Sequence, residues 1–476
     1  MRKSLLFLSA AAIFVTATAV PAQYAVRTLD PRLVAEAQRE HTQILEEYGG
    51  AESGQRAAYV SSVGNRVAAY SGIANPASAY RFTLLNSAVE NAFSVPGGYI
   101  YVTRQLLTLM DDEAELAFAI GHEVGHVAGG HAQAREQVAR RNSVGSVLAS
   151  IFGGFGGFGQ AVAQWAARDA VLHTLRFSRE QEYAADTLGM RYLIGAGYDV
   201  SGAAEMLAAL TRNSALQARV QGSDNRRLPE WASTHPLSVN RMQRALADAR
   251  ATGRLGTGVK RSDEFLSRLD GIYVDDDPEQ GIIDGRTFTH PDLLIQFTVP
   301  VGYLMQNGTR AVSIAGSAGK AEFGGGRYDG SLENYVQLLM QSLAGNRRIA
   351  VPPPQRTVIN GIPAAYTVVR GRGSSGPVDI SVMAYQWAPR TVYHFITLTP
   401  GGTAMGPFAQ TANTIRKITA AEAAEIRPRV IDVVTVRPGD TVQSLAGQMA
   451  YRDFRLERFL SLNGLDPNAR LVPGQK

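Results

Sequence analysis

The segment His122-Glu123-Val124-Gly125-His126 constrains this chain more than any other feature. Asp111 and Asp112 supply acidic residues for the first turn of a helix, and Leu116 and Ile120 carry that helix on to about Gly129. Positions four apart lie on one helix face, so both imidazoles can reach one point, with the Glu123 carboxylate beside them. A third donor then has to come from elsewhere in the chain.

The absence of cysteine narrows what that donor can be. Any metal must be held by histidine and carboxylate. H-E-x-x-H on a helix is a zinc pattern with the glutamate as general base. The metzincin arrangement needs a histidine spaced as His-x-x-Gly-x-x-His. Gly129 is in place, but His131 comes one residue too early, so it is expected to cap or flank the helix end. The better candidate is Glu182, in Ser178-Arg179-Glu180-Gln181-Glu182-Tyr183-Ala184-Ala185-Asp186, where residues 177–195 predict a second helix. Glu182 and Asp186 are again four apart. One carboxylate can bind zinc, and the other can accept the second ring N–H of a ligand histidine. Two histidines and a glutamate plus water make an open, catalytic type of site. The metal lowers the pKa of its water to roughly 7 and polarises a carbonyl. Glu123 takes the proton and later returns it to a leaving amine. One zinc ion per chain is expected, with hydrolysis of peptide bonds as the chemistry.

At 476 residues the chain is too long for one ordinary core, and two to four domains are expected. Hydrophobic content of 45% and charged content of 19% fit a globular protein. The net charge is +5 with no long Lys/Arg run, so nucleic acid is not an expected partner. Arg2 and Lys3, the apolar residues 5–15 and Val20-Pro21-Ala22 read as a secretory signal over residues 1–22. With no cysteine, neither disulfides nor a lipoprotein anchor is available, which suits a bacterial periplasm.

Residues 30–72 read as helical, and residues 82–103 as a β-hairpin around the turn Pro96-Gly97-Gly98. Residues 142–167 carry no charge and are rich in Gly and Phe. Their Gly-rich centre breaks helix continuity, so a helical hairpin or lid is preferred, with peripheral membrane contact as the other reading. Helices are predicted over 203–213 and after Pro236, and a linker over 256–263. Strands then dominate residues 283–418, with Asn360-Gly361 as a hairpin signal and helices over 332–343 and 407–418. A second linker, 419–429, precedes a short C-terminal unit.

The chain resembles the HtpX/BepA-type gluzincin metallopeptidases, the group that also holds the CAAX prenyl proteases. The resemblance spans residues 40–250. It rests on Glu47-Tyr48-Gly49, on Asn91-Ala92-Phe93-Ser94-Val95-Pro96-Gly97-Gly98 before Tyr99-Ile100-Tyr101-Val102, on the zinc helix, on residues 178–186, and on Ser233-Thr234-His235-Pro236 with Arg241. It implies His122, His126 and Glu182 as zinc ligands, Glu123 as base and Asp186 behind the ligands. It also implies that the edge strand at Asn91, Ala92 and Phe93 lines the substrate cleft. An exposed strand edge binds extended peptides through its main chain; Asn91 can equally be a hairpin-positioning residue. His235 and Arg241 resemble a late family motif and are grouped with the catalytic residues. For His235 three readings stay open: a transition-state hydrogen-bonding group, a fourth ligand closing the resting enzyme, or a structural histidine before Pro236.

Residues 434–446, Leu462-Asn463-Gly464-Leu465 and Leu471-Val472-Pro473-Gly474-Gln475 resemble a LysM module, which implies a strand, two helices and a strand, and N-acetylglucosamine polymers such as peptidoglycan as ligand. Its last strand is expected to follow Lys476, so the module reads as truncated or degenerate.

The expected architecture is multidomain: a mainly α-helical gluzincin (zincin) peptidase core with a small β-hairpin or sheet over 23–258, an α+β domain over 264–420, and a small βααβ LysM-like module over 430–476. The expected function is a zinc endopeptidase of the periplasm, associated with the outer membrane or cell wall, acting on unfolded or misassembled envelope proteins. The alternative is a non-proteolytic assembly factor tethered to peptidoglycan.

Overall fold

A computed structural model describes residues 27–134, 177–221, 231, 235, 239–308, 310–344, 348–373 and 376–476. The expected signal segment 1–22 and the uncharged segment 142–167 lie outside the described residues.

The chain opens with helices α1 (Pro31–Glu47) and α2 (Gly54–Ala68), where one helical region was expected. Gly49 and Gly50 both take positive φ, which ends α1 and turns the chain. Strands β1 (Arg81–Leu85), β2 (Ala92–Val95) and β3 (Tyr99–Thr103) then form a sheet in the order β1-β3-β2. This corrects the expected hairpin. The tight turn at residues 96–98 joins β2 to β3 in antiparallel register, Ala92 opposite Val102. β1 instead lies parallel to β3 on its other side, Arg81 opposite Tyr99. β2 is therefore an edge strand.

Helix α3 (Glu113–Gly129) is buried from Glu113 to Ala128, as a helix apolar on nearly every face must be. Asp112 caps it, its side chain accepting from Glu115 N, and Gly130 ends it in the left-handed region. Helix α4 (Arg179–Gly195) starts at a reciprocal capping box between Ser178 and Gln181. Helices α5 (Ser201–Gln221), α6 (Val239–Ala251) and α7 (Ser262–Leu269) follow. Residues 256–263, expected as a linker, are tied to the first unit. Lys260 O accepts from Glu113 N, and α7 buries Phe265 and Leu269 in the same apolar core as α2 to α5.

The next unit is built on a seven-stranded antiparallel sheet. Its members are β4 (Leu304–Asn307), β5 (Ala311–Gly316), β6 (Gly319–Arg327), β7 (Gln355–Ile359), β8 (Ile362–Gly373), β9 (Gly376–Ala388) and β10 (Thr391–Pro400), in the order β7-β8-β9-β10-β6-β5-β4. Asn360 and Gly361, both at positive φ, make the β7–β8 turn that the sequence signalled. Both sheet faces are covered. Val382 and Ala384 pack with helix α8 (Leu332–Leu343), while Met383 and Tyr385 face the second apolar core with Phe297 and Phe408, the alternation a strand imposes.

The C-terminal unit departs from the expected βααβ order. It has two helices, α11 (Val442–Ala446) and α12 (Arg455–Leu462), numbered after two short helices at Phe408–Thr414 (α9) and Ala420–Glu425 (α10). No strand forms at residues 434–436. The outer pairing is reduced to Val436 N donating to Gln475 O and Gly474 N donating to Val436 O. Tyr451 donates to Asp275 at 3.0 Å, and Arg219 on α5 meets Glu457 on α12 at 3.2 Å, which seats this unit on the rest of the chain. No helix among the described residues is long and apolar enough to cross a membrane.

Candidate metal centre

The site exists because α3 and α4 can approach closely. A Cβ on Gly189 would lie 3.1 Å from His122 N; one on Gly125 would lie 3.2 Å from Ala185 O; one on Gly121 would lie 3.3 Å from Gly189 Cα. Small residues at these crossing points let the backbones touch, so His122 and His126 of α3 face Glu182 and Asp186 of α4 across a short gap.

His122 Nε2 and His126 Nε2 stand 3.0 Å apart. Glu182 Oε1 lies 3.6 Å from His126 Nε2, and Glu182 Oε2 lies 3.6 Å from His122 Nε2. His235 Nδ1 joins them, 3.3 Å from His122 Nε2 and 3.1 Å from Glu182 Oε1. All four residues are buried, and one donor atom from each lies within 4.8 Å of the rest. A tetrahedron with bonds of about 2.0–2.1 Å has edges of about 3.3–3.4 Å, so this donor set fits a zinc ion in both spacing and chemistry.

The electrostatics favour the ligand forms of His126 and Glu182. Burial, reinforced by the neighbouring histidines, pushes His126 well below the ordinary histidine range, which keeps its ring neutral. Burial opposes charge on Glu182 too, but His235, His122 and Arg241 outweigh it and hold the carboxylate below its usual value. For His235, burial is overcome by Glu182 and Glu123, which raise it.

Asp186 Oδ1 lies 2.9 Å from His122 Nδ1, which leaves His122 Nε2 as the inward lone pair. Arg241 donates through Nε to Asp186 Oδ2 at 2.8 Å and through Nη2 to Asp186 Oδ1 at 2.7 Å, while its Nη1 meets Glu182 Oε2 at 2.6 Å. The guanidinium expected among the catalytic groups thus clamps two carboxylates behind the donor cluster. His131, expected at a helix end only, has Nδ1 3.0 Å from His126 Nδ1, so it sits behind the second imidazole.

Glu123 is fully buried next to the donors. Burial is the main force raising its pKa. Ser94 Oγ, on β2, donates to Glu123 Oε2 at 2.9 Å, and His235 Nε2 lies 3.5 Å from Oε1. Asn91 and Ala92 are buried, and Asn91 O accepts from Thr103 N and Oγ1. Phe93 points to the opposite face of β2, stacked on Tyr101 and packed near Tyr48. Ser94 is thus a β2 side chain that meets Glu123, while the Phe93 ring lies against Tyr101 on the other face.

Ser94, Phe177 and Trp231 were not singled out from the sequence. Phe177 stacks on His126 with ring centroids 3.8 Å apart, and Trp231 stacks on His235 at 4.4 Å. Only the position of Ser94 two residues beyond Ala92, on the same strand face, could have signalled it.

Residues 54–249 match the model of peptidase family M48, and residues 434–476 match that of the LysM domain. The chain thus carries a peptidase family M48 domain and a LysM domain. It is 29% identical over 228 residues to the beta-barrel assembly-enhancing protease of Escherichia coli (strain K12), covering 45% of this chain and 43% of that one. It is 30% identical over 203 residues to the Yersinia pestis protein of the same name, covering 40% and 38%. A 30% identity over 164 residues links it to the mitochondrial metalloendopeptidase OMA1 of Arabidopsis thaliana, covering 33% and 29%. The matches to these curated relatives span less than half of each relative's length.

Proposed function

We propose that this protein is a zinc-dependent endopeptidase of the periplasm that hydrolyses misfolded or misassembled envelope proteins. The observation that carries the proposal is the convergence of His122, His126 and Glu182 on one point with the Glu123 carboxylate beside it. The names of the two bacterial relatives support the substrate class, and the LysM match supports peptidoglycan as a wall partner.

His122 Nε2, His126 Nε2 and the Glu182 carboxylate would hold the zinc ion, which supplies a Lewis acid for the scissile carbonyl and an acidified water. Asp186 fixes the His122 tautomer, and Arg241 is a positioning residue that orients both carboxylates. Glu123, anchored by Ser94 and made more basic by burial, takes the proton of the attacking water and passes it to the leaving amine. The main chain of β2 offers an edge on which an extended peptide can lie.

His235 Nδ1 takes the fourth corner of the donor set. This favours the reading of His235 as a ligand that closes a resting enzyme, and substrate entry then requires its withdrawal. A closed centre is also the feature most compatible with an assembly factor that binds clients without cutting them, and Glu123 separates the two. Glu123→Gln is expected to lower cleavage of unfolded casein by about 10²–10⁴-fold while zinc content stays unchanged. Equal cleavage by the wild type, the variant and chelator-treated protein would sink the protease reading.

A further inference from the structure

The opposite end of α3 from the zinc ligands carries a second gathering of acids. Asp112 caps the helix, Glu115 stands in its first turn, and Glu205 reaches in from α5; one carboxylate oxygen from each lies within 4.8 Å of the others. Glu115 is 2% exposed, and its Oε2 has no hydrogen-bond partner among the described residues. Leaving a buried carboxylate oxygen unpaired is costly. Burial, followed by Asp111, Asp112 and Glu205, drives Glu115 well above the usual carboxylate range. Asp111 adjoins the group and is itself pushed up to about 6, first by burial.

Two side-chain cations face these four acids. Lys260 Nζ lies 2.5 Å from Glu205 Oε2 and 3.3 Å from Asp112 Oδ2. Arg212 faces Asp111, and both adjoin Gly464 of the C-terminal unit. Neither hydrogen-bonds to Glu115 Oε2. The helix dipole accounts for acids in the first turn of α3. It does not account for Glu205 on another helix, nor for a buried oxygen left without a donor.

We infer that Asp112, Glu115 and Glu205 form a binding site for a hard divalent cation of the calcium kind, distinct from the imidazole centre. Calcium binds oxygens at about 2.3–2.6 Å, so any two ligands of one ion stand no more than about 5.2 Å apart, and the three carboxylates, within 4.8 Å of one another, meet that limit. An all-carboxylate set without imidazole or thiolate suits a hard cation of the calcium kind. Lys260, with its side chain 36% exposed, is the group the ion displaces. Occupation joins α3 to α5 beside the C-terminal unit and braces the helix whose other half carries His122 and His126.

The test is a titration of the zinc-loaded, full-length protein with calcium chloride at constant ionic strength, read as the thermal unfolding midpoint. The midpoint of the wild type is expected to rise. Glu205→Gln, at a side chain 40% exposed and so harmless to folding, removes most of that rise. Lys260→Met, which deletes the competing ammonium, moves the titration to about tenfold lower calcium. A wild type that does not respond, a Glu205→Gln variant that responds as the wild type does, or a Lys260→Met variant shifted to higher calcium overturns the inference.

Discussion

Asp186 shows how much a single residue decides at this centre. Burial alone would raise its pKa, yet hydrogen bonds from Arg241 and His122 hold it far below the ordinary carboxylate range. It stays ionised, lies 2.9 Å from His122 Nδ1, and so leaves the His122 Nε2 lone pair turned toward His126 and Glu182. Asp186→Asn removes that charge and leaves the Arg241 guanidinium to pull on Glu182 alone. A loss of zinc affinity of about 10–100-fold is expected, measured by competition with a chromophoric chelator, with helix content unchanged. At this scale much was legible. Histidines four apart, and carboxylates four apart, declare a shared helix face whatever surrounds them. His131 flanks the helix end as its spacing implies, and only the contact of its ring with His126 has no signature along the chain. Phe177 and Trp231 leave no trace in the sequence, because an aromatic ring stacked on a buried imidazole carries no spacing signature.

At the scale of elements, the centre depends on two helices that almost touch. Gly121, Gly125, Ala185 and Gly189 form the crossing, and a methyl group at residue 189 would meet His122 N and Gly121 C, both main-chain atoms that cannot turn aside. Gly189→Ala is therefore expected to separate α3 from α4 by a few tenths of an ångström and to weaken zinc binding by at least about tenfold, since sub-ångström displacement is expensive in a preorganised site. Unchanged zinc affinity in that variant would remove the close crossing from the account. The ends of α3 and α4 could be read from Asp112, Ser178 and Gln181, because caps are local chemistry. The parallel pairing of β1 with β3 could not. Alternation identifies a strand but carries no information on which neighbour it chooses or in which direction.

Across the whole molecule, strand-rich composition correctly separated the seven-stranded sheet from the helices before it, and the Asn360-Gly361 turn lies where its left-handed backbone requires. The residues read as a first linker do more than connect. Lys260 holds the start of α3, and Phe265 and Leu269 fill the core behind it. Gly and charge mark loops in general, and they do not distinguish a free loop from one pinned by long-range contacts. The C-terminal helices also follow their sequence pattern, whereas the outer strands reduce to two backbone bonds between Val436 and residues 474–475.

The proposed zinc site depends on a carboxylate from α4 completing a donor set begun on α3. Zinc content and affinity of the purified full-length protein, compared with those of Glu182→Ala, test that point most directly. One zinc per chain in the wild type, with affinity at least about 100-fold weaker in a folded Glu182→Ala, is the predicted result. A Glu182→Ala protein that keeps its zinc with wild-type affinity would contradict it.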